Sequence, residues 1–345
     1  MSEKRNNTID IAKGIGIILV VAGHNTYFMS FHEFIRVIYS FHMPLFFFLA
    51  GIFLKDKESF IDFFVSKFDH LLKPYLSVLL IFGLAKILAG KESWAHLLGI
   101  AYATGATVAW VQMWFLPHMF VSLLLSLFLI KALKAFKLTS RFFLPSIALC
   151  VIAVGAITLN SYYKYDTRGL PWSLDIASLS AGYLILGYSM REFVKHFKFN
   201  LPTFTAALVI FVLLHVYSDV SMDMNLREFG LPYVVIPQSL LGIYLIISIS
   251  TSLSQYKFTT LSYIGANSLF IFIFHGYSQQ FFYKTAVNAL NDQRLSGIIS
   301  FAASIICSLI IMKLVYRSKI ASALIVPMKK SPKNTKPILH SHATR

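Results

Sequence analysis

Apolar residues run along this chain in long stretches separated by short polar breaks. A helix needs roughly 20 apolar residues to cross the hydrocarbon core of a bilayer, and the pattern predicts ten such helices. Their spans are 10–30, 33–54, 71–90, 112–131, 142–159, 174–190, 203–218, 231–252, 261–283 and 296–316. The stretch 94–111, WAHLLGIAYATGATVAWV, is rich in Gly and Thr and is expected to be re-entrant or interfacial rather than an eleventh span. The first span has no small-residue cleavage site and ends on His24 and Asn25, so it reads as a retained anchor, not a signal peptide. Residues 1–327 thus form one membrane domain, and 328–345 read as a basic, disordered cytoplasmic tail suited to anionic lipid. No internal repeat stands out, which weakens a reading as an inverted-repeat transporter.

Composition strengthens the membrane assignment. Of 345 residues, 57% are hydrophobic and 13% charged, against roughly 25% charged in soluble domains. A soluble two-domain enzyme is excluded, and so is disorder, because Phe, Leu and Ile are abundant throughout. The net charge of +16 fits either a nucleic-acid partner or the excess of Lys and Arg on cytoplasmic loops. Placing the N-terminus inside puts 21 of the 31 positive residues in cytoplasmic segments, 7 on the other side and 3 (Lys13, Lys86 and Lys313) within helices. This bias supports an all-α polytopic membrane protein with both termini cytoplasmic, and no nucleic acid is needed to explain the charge. Cys150 and Cys307 sit in apolar runs and read as small packing residues, without disulfide or metal spacing.

Ionisable residues inside spans are costly and become functional candidates by default. In the first span, Lys13 and His24 are eleven residues apart, about 20° off a shared face and roughly 16 Å along the axis. Asp10 lies on nearly the same side. Gly14, Gly16 and Gly23 would admit neighbouring helices closely. A snorkelling lysine and a structural histidine are the plainer readings of Lys13 and His24. His42, His118 and His275 fall in the outer half as well, with Asn267 eight residues before His275. Together they suggest a polar chamber, although a structural role is the better reading of His118. No HExxH or CxxC spacing occurs, so a metal site is not expected. The spans also lack the carboxylate pairs of a proton pump or of two-carboxylate hydrolysis.

The predicted loop between the second and third spans carries Lys67, His70 and Lys73 at three-residue intervals. A helical approach would set these three on one face, a phosphate-binding arrangement, while positive-inside topology explains the lysines equally well. Gly14 and Gly16 follow no strand and form no dinucleotide fingerprint.

Lys13-x10-His24 resembles the Arg-x10-His signature of membrane acyltransferase family 3, the O-acyltransferases of bacterial surface glycans. Further matches in order are Phe41-His-Met-Pro-Leu-Phe-Phe-Phe-Leu-Ala-Gly51, Lys73-Pro74-Tyr75, Trp114-Phe115-Leu116 and Ser268-Leu-Phe-Ile-Phe-Ile-Phe-His275. The first of these is most similar to the fucose 4-O-acetylase-related branch. The resemblance covers nearly the whole chain, with Lys13 replacing the family arginine and His70 standing where arginine is common.

It implies an inner-membrane enzyme that moves an acetyl group from cytoplasmic acetyl-CoA to a hydroxyl of a glycan or lipid-linked precursor, such as O-antigen or capsule. His24 would be catalytic, as general base or through a transient acyl-histidine. Lys13, Lys67, His70 and Lys73 would bind CoA phosphates. Asp10, His42, Trp114, Asn267 and His275 would line the acceptor chamber, with Trp114 either a sugar platform or an interfacial belt residue. No tightly bound cofactor is expected. Further partners are the bilayer, a second copy of the chain or glycan-assembly components. A glycan transporter and a non-catalytic assembly component are the alternatives.

Overall fold

A computed structural model of the protein describes residues 6–162, 168–218, 222–256 and 258–328. Lys4, Arg5, Lys164, Lys257 and the tail beyond Met328 lie outside the described residues.

The chain is built from helices α1 (Asn7–Gly23), α2 (His32–Tyr39), α3 (His42–Ile52), α4 (Phe60–Lys67), α5 (Lys73–Leu88), α6 (Ala95–Tyr102), α7 (Phe115–Ala135) and α8 (Phe143–Tyr162). There follow α9 (Ala177–Lys195), α10 (Leu201–Tyr217), α11 (Pro232–Gln255), α12 (Thr259–Ala266), α13 (Ser268–Leu290), α14 (Gln293–Arg317) and α15 (Lys319–Ile325). Between α10 and α11 lies a two-residue antiparallel hairpin, β1 (Met222–Asp223) with β2 (Glu228–Phe229). The protein is therefore an all-α polytopic membrane protein. Every predicted span falls on helix. Six stretches among the described residues are long and apolar enough to cross a bilayer: His32–Ile52, Phe60–Leu88, Val111–Ala135, Phe143–Tyr162, Pro232–Gln255 and Gln293–Arg317. The other four predicted spans fall on α1, α9, α10 and α12–α13, which are shorter or less apolar.

Three departures from the predicted boundaries shape the site. The first span stops at Gly23 instead of running to 30, because Asn25 turns the chain. Its Oδ1 accepts from the backbone N–H groups of Tyr27 and Phe28, both at 3.1 Å. The second span is broken at Ser40–Phe41. Pro44 has no N–H for the carbonyl of Ser40, four residues back, and its ring crowds that carbonyl. The third departure is the expected loop over 64–75, which is helical. Pro74 stands in the same relation to His70, and the ladder ahead of it widens into a π turn over Phe68–Leu72. Farther along, 261–283 is divided at Asn267, whose Nδ2 donates to the Tyr263 carbonyl at 2.8 Å and closes α12.

The segment 94–111 forms only the eight-residue α6, about 12 Å long and too short to cross. Tyr75 pins it by donating to the Ile100 carbonyl at 2.7 Å.

Helix ends gather in two layers. In one, Lys131 donates to the Glu58 carbonyl at 2.7 Å, Lys134 pairs with Asp56, and Arg191 lies 3.8 Å from the same carboxylate. In the other, Arg36 donates to the His215 carbonyl at 2.8 Å, and Trp172 Nε1 to the Ala101 carbonyl at 2.8 Å. Between the layers, α5, α8, α10 and α14 expose apolar side chains such as Ile81, Val154, Leu213 and Ile306. A surface of this kind suits lipid, not water. At the centre α1 crosses α12 backbone to backbone. A Cβ at Gly265 would run into the Asp10 carbonyl and the Gly14 N–H, so the small residues permit the contact.

Candidate functional site

A cavity of about 1080 Å³ opens among α1, α3, α7, α12 and α13. Asn7, Asp10, Lys13, Ile17 and Val20 line it from α1, at the three- and four-residue spacing of one helical face. Phe53, Leu49, Phe46 and Met43 supply the α3 wall, while Leu123, Met119, Leu116 and Phe115 supply that of α7. The mouth is polar and the interior apolar.

Basic groups gather at the mouth. The Lys13 ammonium lies 4.5 Å from the centroid of Phe53, and that of Lys67 lies 5.1 Å from Phe63. His70 also lines the mouth, its Nδ1 donating to the Ser66 carbonyl at 2.6 Å. That bond assigns the Nδ1 proton, because a carbonyl only accepts, and leaves Nε2 as the acceptor nitrogen. The break at Asn267 places Ser268 and Leu269, the first residues of α13, on the lining. The positive end of a 23-residue helix thus adds to the charge of the side chains.

Beyond the apolar interior stand three histidines. His24 follows Val20 by one turn, His42 precedes Phe46 by one turn, and His275 follows Phe272 by three residues. The rings of His24 and His275 are 5.6 Å apart, and both His42 and His275 lie within electrostatic range of His24. Tyr39 joins the group, its ring 4.8 Å from His42 and packed against Gly23. His275 Nδ1 lies 2.9 Å from the Ile271 carbonyl and His42 Nδ1 2.9 Å from that of Ile38. Both therefore present Nε2 as acceptor. The Ile38 carbonyl also accepts from the Phe41 N–H at 3.3 Å, so it serves both the backbone turn and the imidazole.

His24 is exposed, whereas His42 and His275 are buried. Two amides hold it in place. Asn25, fully buried, donates to the Gly297 carbonyl at 3.1 Å and lies 3.2 Å from Ser300 Oγ. Gln279 donates to the Val21 carbonyl at 3.2 Å, taking up one of the carbonyls that a helix end leaves open.

The structure divides the candidates differently from the sequence reading. Asp10 and Asn267, expected in the acceptor chamber, share the cavity with Lys13, Lys67 and His70. Lys73 is not on the lining. The π turn rotates it toward α15, where it pairs with Asp69 and donates to the Val326 carbonyl at 2.6 Å. Trp114 is buried against His118, with ring centroids 5.4 Å apart, and is not on the cavity wall. His118 itself lies 2.7 Å from Ser180 Oγ, in keeping with the structural role expected of it. Asn25, Gln279 and Gln112 escaped the sequence reading. Of these, Gln112 stood at a span terminus, the start of the predicted span 112–131, whereas Gln279 lies in the middle of α13.

No group of three or more His, Cys, Asp or Glu placed to hold a metal occurs among the described residues. A family model described as an acyltransferase domain, that of the acyltransferase 3 family, matches residues 6–314. No curated protein and no solved structure matches the chain.

Proposed function

The chain belongs to the acyltransferase 3 family of multi-pass membrane acyltransferases, and on that premise we propose that it transfers an acetyl group from acetyl-CoA to a sugar hydroxyl. The acceptor is a cell-surface glycan or its lipid-linked precursor, the membrane is the bacterial inner membrane, and His24 is the catalytic residue. One observation carries this reading: the α1 face that lines the cavity with Asn7, Asp10, Lys13, Ile17 and Val20 continues, one turn on, to His24. The resemblance of residues 41–51 to the fucose 4-O-acetylase-related branch supports a sugar as acceptor.

Lys13, Lys67, His70 and the start of α13 hold the CoA phosphates, because donor groups at a helix N-terminus and ammonium groups both attract anions. The pantetheine arm lies along Ile17 and Val20 and bridges the gap of roughly 16 Å between Lys13 and His24. At His24 the imidazole takes the proton of the acceptor hydroxyl as its oxygen attacks the thioester carbon. The carbon–oxygen bond forms, the carbon–sulfur bond breaks, and the imidazolium returns the proton to the departing thiolate. Lys73, bound to Asp69 and Val326, serves the site indirectly by fixing α5 against the C-terminal segment.

Purified protein in lipid nanodiscs, given radiolabelled acetyl-CoA and candidate glycans, tests the proposal. Label moves to the glycan with the wild type and not with His24→Ala, which still inserts and binds CoA. Label on the glycan at the wild-type rate in His24→Ala, or no label with any glycan from the host, overturns the reading. NMR of glycans from a host with and without the chain then locates the acceptor hydroxyl.

A further inference from the structure

Four of the helices that wall the cavity, α1, α3, α7 and α13, carry a polar group, or make room for one, where the lining face passes the inner end. On α1 and α3 these are His24 and His42. On α13, Phe272 is followed by His275 and Gly276. On α7 the lining begins at Phe115, and Gln112 lies three residues earlier, in the 3-10 turn Val111–Trp114. Residues three apart in such a turn lie one above the other, so Gln112 extends the α7 wall toward the histidines.

Two observations about Gln112 go beyond its position. Its Nε2 is buried and has no hydrogen-bond partner among the described residues. Its amide also packs on the backbone of Gly276, where a Cβ would come within 2.5 Å of that Nε2. Gly276 adjoins His275, whose own Nε2 is likewise buried and without a partner among the described residues. A donor and an acceptor on neighbouring walls are thus both unused. A buried N–H left without an acceptor is destabilising, and the loss is recovered when an acceptor arrives.

We propose that the Gln112 side-chain amide donates a hydrogen bond to the carbonyl oxygen of the acyl group during transfer. The inference rests on the acyl-transfer reading above. A thioester carbonyl carries no donor of its own, and as the hydroxyl oxygen attacks, its oxygen takes up negative charge. A neutral N–H fixed beforehand stabilises that charge without reorganisation. Gln112 breaks no bond and moves no proton. The charge returns from the oxygen to re-form the carbonyl as the carbon–sulfur bond breaks.

The experiment measures kcat and KM for acetyl-CoA in nanodiscs, with CoA affinity by calorimetry, for wild type and Gln112→Met. Methionine keeps the length of the side chain and its packing on Gly276 but lacks the N–H. The expected result is a kcat lower by about 10²-fold, with KM and CoA affinity unchanged. Gln112→Leu gives the same reading if the methionine variant does not accumulate. A wild-type kcat in either variant, or a change confined to KM, overturns the assignment of Gln112 while the acyl-transfer reading stands. If the wild type itself moves no label, the acyl-transfer reading fails and this inference fails with it.

Discussion

The ring of His275 lies 5.6 Å from that of His24, the first buried in the bundle and the second open to its surroundings. Because His275 Nδ1 is bonded to the Ile271 carbonyl, only its Nε2 is left to face α1. The two imidazoles are therefore unequal partners. Replacing His275 with Phe keeps an aromatic ring in the bundle but removes that nitrogen. The expected outcome is a kcat reduced by roughly 10²-fold with CoA affinity retained, measured by the label-transfer assay and by calorimetry.

Lys13 stands at the other end of the same helix face. Lys13→Ala should raise KM for acetyl-CoA roughly tenfold or more, the value of a hydrogen bond to a charged group, and leave kcat nearly unchanged. Lys13→Arg should restore affinity, because guanidinium binds phosphate through two parallel bonds. Steady-state kinetics across a range of acetyl-CoA concentrations separates the two parameters.

In the layer opposite Lys134, Arg227 and Asp175 are joined with both side chains fully buried, Nε to Oδ2 at 2.8 Å. The pair ties the hairpin to the turn Pro171–Ile176, in which Trp172 and Ser173 hold left-handed conformations at φ 58° and 53°. Arg227→Ala should destabilise the protein by about 3–5 kcal/mol, because it strands a buried carboxylate. The double change Arg227→Met with Asp175→Leu should recover much of the loss. Thermal unfolding in detergent reads both.

Asp56 gives a dependence on pH. Burial works to raise its carboxyl, but the hydrogen bond from Lys134 outweighs it and holds the group below the usual carboxylate range. A depressed folded value means that the tie contributes fully above the unfolded value of about 3.9 and is lost as pH falls through the folded one. Asp56→Asn should lower the thermal midpoint at pH 7 by the equivalent of about 1 kcal/mol or less, as for a partly exposed pair. The difference from wild type should vanish as pH is taken below that range.

Much of this architecture was legible in the sequence, for a physical reason. Contact with lipid demands apolar side chains turn after turn, so the six long apolar helices among the described residues announce themselves in hydropathy. The shared side of Lys13 and His24 was equally legible, because Lys13 lies in the regular part of α1 and His24 caps its end, so spacing still translates into a face. Legibility failed where the ladder is irregular. The threefold spacing of Lys67, His70 and Lys73 assumed an α-helix. The π turn ahead of Pro74 sends Lys73 to Asp69, four residues before it, a carboxylate visible in the sequence all along. Asp10 and Asn267 were grouped with the histidines because they share a helix face with them, and a shared face does not fix depth: both line the cavity with Lys13. Gln112 carried no charge to draw notice, and its meaning depends on Gly276, 164 positions away.

The bond from His42 Nδ1 to the Ile38 carbonyl, at 2.9 Å, has a chemical effect beyond holding the ring. A carbonyl only accepts, so that nitrogen keeps its hydrogen and the acceptor lone pair falls to Nε2. The backbone here sets a tautomer, and the histidine beside the site has its acceptor nitrogen chosen before any substrate arrives.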